Sequence, residues 1–130
     1  MSIRLALILI VLTASVSCKY ELPPYKPLKL PSGKEIKVTS VTRMNFPNSG
    51  PAMVMNYQTE ISMNDMTALR NEVQEVWSVF QTDVENAHLD AAVIRATHLE
   101  GSSLVKSGQG YGFVFVKRDG QWRLLEDTKK

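Results

Sequence analysis

The chain has 130 residues, a formal charge of +2 and 44% hydrophobic residues. That leaves room for one domain and excludes a large multi-domain enzyme. The charge is uneven: residues 19–43 hold six Lys or Arg against two acids, residues 60–101 two against eight, and residues 102–130 six against three. No dense basic stripe with interleaved aromatics is present, so nucleic acid is not an expected partner.

The first eighteen residues, MSIRLALILIVLTASVSC, place Arg4 before an apolar run from Leu5 to Leu12, then small residues up to Cys18. This is the layout of an export signal, too short for a membrane span of about 20 apolar residues. Cys18 is the only cysteine. An exported chain with one thiol, placed at the end of its signal, is better explained by lipid than by a disulfide.

Ser15-Val16-Ser17-Cys18 resembles the lipobox of bacterial lipoprotein precursors, although a leucine is usual where Ser15 stands. The resemblance implies removal of residues 1–17, acylation of Cys18 and anchoring to a membrane. Lys19 in second place implies the outer membrane, with the domain in the periplasm. Residues 18–33 carry Pro23, Pro24, Pro27 and Pro31 and are expected to be a lipid-anchored, extended tether.

A single α+β domain is expected over residues 34–130. Ile36, Val38, Thr42, Met44 and Phe46 share one parity, and Met53, Met55, Tyr57 and Ile61 another, with a Pro47–Pro51 turn cluster between them. These two stretches predict an antiparallel hairpin. In residues 62–88, Met66, Leu69, Val73, Val76, Trp77, Phe80, Val84 and Ala87 recur at steps of three and four. That pattern predicts an amphipathic helix, N-capped by Ser62 or Asn64, laid on the sheet.

A third strand is expected at 91–99, a Gly/Ser-rich loop at 100–110, and a last hairpin with strands at 111–117 and 121–126 turning at Asp119-Gly120. The expected fold is therefore α+β: an antiparallel sheet of about five strands in ββαβββ order, with one long helix on one face. GFVFVKRDGQWRLLED is similar to the last hairpin of nuclear-transport-factor-2-like domains. Those domains use further helices to close a conical pocket, which this sequence lacks, so no ligand or catalytic residue is carried over.

No catalytic constellation emerges. His88-Leu89-Asp90 and His98-Leu99-Glu100 are too far apart along a strand to share one ion, and they read as polar strand ends. Gly108-Gln109-Gly110-Tyr111-Gly112 precedes a strand instead of opening a helix, so it is no phosphate cradle. Ser102 and Ser103 lack a nucleophile elbow, and the methionines fall at core spacing. No enzyme activity, metal or cofactor is expected.

Shape is the remaining signal. Tyr111, Phe113 and Phe115 share one parity and Val114 and Val116 the other, so the strand is apolar on both faces while one helix covers one. The expectation is a protein-binding or self-associating module acting through the face opposite the helix. Tyr111, Phe113 and Trp122 are its candidate contacts, with Arg95 and Arg123 as rim. With the parity reversed, Val114, Val116 and Leu125 take the aromatics' place. The alternative is a carrier of a small apolar ligand, with a pocket between helix and sheet.

Overall fold

The computed structural model describes residues 25–101 and 106–125, so Cys18, the export signal, Ser102 and Ser103 lie outside the described residues. The architecture is α+β, with one helix among the described residues lying on a six-stranded sheet. The strands are β1 (Lys26–Lys29), β2 (Glu35–Phe46), β3 (Gly50–Gln58), β4 (Ala91–Gly101), β5 (Lys106–Arg118) and β6 (Gln121–Leu124), and α1 (Met66–Asn86) joins β3 to β4. They lie side by side in sequence order.

Helix α1 has its N-cap at Asp65, whose side chain accepts from the Ala68 N–H at 3.2 Å. The expected caps lose because Ser62 is already committed to the preceding turn, its carbonyl bonding Asp65 N–H and its hydroxyl Asn64 N–H. The expected stripe is the buried one: Leu69, Val73, Val76, Trp77, Phe80 and Val84 all lie in the core. Trp77 stacks on Phe115 with ring centroids 4.3 Å apart and meets Trp122 edge-on at 4.9 Å. Twenty-one residues rise about 32 Å, which returns the chain to the end of the sheet where β3 began. β4 therefore runs parallel to β3, while every other neighbouring pair is antiparallel. The expectation of a wholly antiparallel sheet is corrected by that crossover.

One strand and the start of another were hidden by composition. The Pro-rich segment expected to be only a tether supplies β1, which pairs Lys26–Lys29 with Glu35–Val38 at the sheet edge and buries Leu30. Proline is compatible with an edge strand, where an N–H can be dispensed with. Of the Gly/Ser-rich stretch expected to be a loop at 100–110, Glu100 and Gly101 end β4 and residues 106–110 open β5, paired with β4 from Gly101↔Lys106 onward, while residues 102–105 lie outside the described residues. Asp119 (φ 54°) and Gly120 (φ 76°) make the expected tight turn, since two consecutive left-handed residues match the twist of a two-residue hairpin.

Candidate binding face

The faces of the sheet are assigned from the helix outward. Met55, Tyr57, Ala92, Ile94, Ala96, Phe113 and Phe115 belong to the core cluster beneath α1. Val54, Asn56, Val93, Arg95, Thr97, Gly110, Gly112 and Val114 alternate with these and face away from the helix.

β2 changes sides along its length. The register steps from Val38↔Tyr57 to Ser40↔Asn56, leaving Thr39 as an extra residue. Such a bulge reverses the parity and bends the strand. Ile36 and Val38 consequently pack with the core, whereas Thr42, Met44 and Phe46, expected beside them, stand on the helix-free face opposite Val54, Ala52 and Gly50. The bend carries Phe46 far enough that it lines one trough with Val114 of β5, although β3 and β4 lie between.

That trough, about 390 Å³, is formed by Phe46, Asn56, Val93, Arg95, Thr97, Gly110, Tyr111, Gly112 and Val114. Val54 and Val93 are buried on this side of the sheet, so the face is in part self-covered. The trough owes its depth to glycine. β5 places Gly108, Gly110 and Gly112 on the helix-free parity, opposite Leu99, Thr97 and Arg95 of β4. Gly110 and Gly112 line the trough, whereas the Thr97 and Leu99 side chains crowd Gly108. Arg95 is exposed and is the only charged residue among the described residues of the lining.

The candidate contacts divide between the two faces. Phe113 is 1% exposed under the helix, and Trp122 packs against Trp77 and donates from Nε1 to Glu85 Oε1 at 2.8 Å. Tyr111 lies on the same parity, its ring 5.1 Å from that of Phe113, though it borders the trough. The expectation that these three aromatics occupy the free face is therefore reversed, because Trp77 takes the Phe115 parity for the core. Arg95 does lie on the free face, and Arg123, paired with Val116, shares its parity. Val114, Val116 and Leu125 take the place of the aromatics there.

A second polar site was not anticipated. Glu72 is 4% exposed on the apolar stripe of α1. Its Oε1 accepts from Tyr57 Oη at 2.9 Å and Thr59 Oγ1 at 2.6 Å, and its Oε2 pairs with Lys34 Nζ. Burial, then the charge of Glu72 and the hydrogen bond to it, push the Tyr57 phenol well above its ordinary value near 10. A phenol so held is a donor and no nucleophile. A groove of about 270 Å³ opens beside the cluster, bordered by Lys34, Lys37, Thr59, Glu60, Glu72 and His98 among others. His98 Nδ1 lies 3.1 Å from the Thr59 carbonyl oxygen, and His88 stands exposed just past the helix end with φ 58°. No group of His, Cys, Asp and Glu side chains suited to a metal ion occurs among the described residues. The signal for Glu72 was its position: three residues after Leu69 and four before Val76, a charged side chain inside the buried stripe.

Comparison of the chain with protein-family models, with curated proteins and with solved structures finds no match.

Proposed function

We propose that the domain is a non-enzymatic protein-binding module that acts through the helix-free face of its sheet. In this reading the export signal carries it to the bacterial envelope, where acylated Cys18 anchors it to the outer membrane. The observation that carries the reading is the trough: two alternate glycines on β5, Gly110 and Gly112, leave a hollow beside Arg95, with Phe46, Val93 and Val114 as apolar surface. Small ligands are less well served. The space between helix and sheet, which a carrier would need open, is filled by Trp77, Phe80, Phe113 and Phe115, each less than a tenth exposed.

Site-directed cross-linking in the producing cells tests the reading. A photoreactive residue at Thr97, inside the trough, should give an adduct with another protein that disappears when Arg95→Glu is added. The same residue at exposed Gln74 on α1 should give none. Equal adducts at both positions, or none at Thr97, would remove the basis for a face-specific module. In the same cells Cys18→Ser should move the protein from membrane to soluble fraction; retention on the membrane would refute the anchor.

A further inference from the structure

The two edges of β5 are unequally used. On one side it pairs with β4 from Lys106 to Val116, but on the other β6 covers only Phe115–Arg118. Leu125 N–H extends that contact by donating to the Val114 carbonyl at 2.8 Å. Toward Lys106 no described strand follows on that side. Backbone groups of alternate residues in a strand point to the same edge. Val114 points to the β6 side, while Lys117 N–H bonds the Asp90 carbonyl at 2.8 Å on the β4 side. The outward groups ahead of Val114 are therefore the N–H and C=O of Gly112, Gly110 and Gly108.

Natural sheets blunt such an edge with charge, proline or a bulge. Between Gly108 and Gly112 this edge carries none of these. Packing does not require glycine throughout: a Cβ would meet its nearest neighbours at 3.5 Å at Gly110 and 3.9 Å at Gly112, which are ordinary contacts. Neither residue has a positive φ, so backbone conformation does not require it either. Only Gly108 is crowded, by Thr97 Cγ2 at 3.1 Å. Glycine inside a strand weakens it, and it marks places where a ligand or another backbone comes close.

We propose that β5 accepts an extended acidic segment of a partner protein as an added strand along Gly108–Gly112, its carboxylates meeting Arg95 across the bare glycines. This rests on the reading of the helix-free face as the binding face. An added strand lies about 4.8 Å from β5 and about 10 Å from β4, too far for a β4 side chain that has to climb over an intervening one. Here nothing intervenes, and the stem of Arg95 already leans that way, with its Cγ 3.9 Å from a Cβ placed on Gly112. Charge selects the occupant. No acidic residue lines the trough among the described residues, and Arg118 and Arg123 share the parity of Arg95. Side chains of the added strand alternate, so those that do not face Arg95 fall beside Tyr111 on the half-buried side. The fitting segment thus alternates acidic and apolar residues, held by ladder hydrogen bonds and selected by the arginine.

The test uses the full chain and a fluorescent peptide of alternating Glu and Val, followed by anisotropy. Gly110→Pro removes one outward N–H; proline is tolerated where the N–H faces solvent, and the β4 ladder is untouched. Binding of the Glu/Val peptide should weaken at least about tenfold with Gly110→Pro and with Arg95→Glu, and by as much for a Lys/Val peptide on the unaltered chain. A Glu/Val peptide methylated on alternate backbone nitrogens should also fail, which keeps the test independent of how well the proline variant folds. Full binding by the methylated peptide and by Gly110→Pro, with loss in Arg95→Glu, would overturn strand addition and leave the binding face standing. Absence of Glu/Val binding overturns the acidic partner. So does self-association that the peptide does not compete away, which makes a second copy the occupant, or binding seen only after the chain is cut behind Leu125, which makes the chain's own terminal residues the occupant.

Discussion

Glu72 joins three parts of the chain that are distant in sequence. Its carboxylate holds Tyr57 on β3, Thr59 just beyond it and Lys34 before β2, and the described side chains leave no buried polar atom unsatisfied. Lys34 is 40% exposed, so its share of the energy is screened, and the two buried hydroxyls carry most of the cost of losing the carboxylate. Glu72→Ala should therefore destabilise the domain by about 2–4 kcal/mol in urea unfolding, since two buried donors lose their acceptor. Glu72→Gln keeps an acceptor oxygen and should cost less. The same cluster makes stability depend on pH at the alkaline end. The Tyr57 phenol ionises near 10 in the unfolded chain and only above that in the fold. Its contribution is fully present below pH 10 and is lost as pH rises beyond it, because the unfolded state sheds the proton first. Urea midpoints taken between pH 8 and pH 11 should fall at the top of that range, and Tyr57→Phe should flatten the fall.

At the scale of elements, what could be read in the residues was what obeys an unbroken period. The 3.6-residue stripe of α1 keeps its spacing from Leu69 to Val84, with Glu72 its one charged member, and became the core, and Asp119-Gly120 became the turn it implies. Trp77 sits at the centre of that stripe, touching Phe80, Phe115 and Trp122. Trp77→Ala should cost about 3–5 kcal/mol by calorimetry or denaturant, and a change in Tm of only a degree or two would mean the stack contributes little. The misreadings come from broken periods. One extra residue, Thr39, reverses the second half of β2, so Phe46 joins the trough and leaves the parity of Ile36. β5 is apolar on both parities, and no local rule decides which faces the helix; the choice is made by Trp77, distant in sequence, stacking on Phe115. Gly108 and Gly110 suggest a loop locally, and pairing with β4 overrides that propensity. The trough was thus illegible in part for the same reason it exists, since Gly110 both lines it and masks the strand.

For the whole molecule the open question of extent is where the folding unit begins. Pattern alone puts the start at Lys34, but β1 pairs with the first part of β2, Leu30 is 3% exposed, and Ser32 N–H reaches Glu75 Oε2 at 3.3 Å on α1. The segment from Lys26 to Leu30 is therefore an integral edge of the folding unit. A chain beginning at Lys34 loses the burial of Leu30 and uncovers the β2 edge beside Ile36, which is itself 3% exposed. Burying one leucine contributes about 1.5–3 kcal/mol, and the lost pairing adds to that, against a total stability of about 5–15 kcal/mol for a small domain. Chains starting at Tyr25 and at Lys34 should therefore differ in urea unfolding by about 2–4 kcal/mol, with the shorter one also exchanging amide hydrogens faster along β2. Identical midpoints and identical exchange would mean that β1 rests on a unit already complete without it.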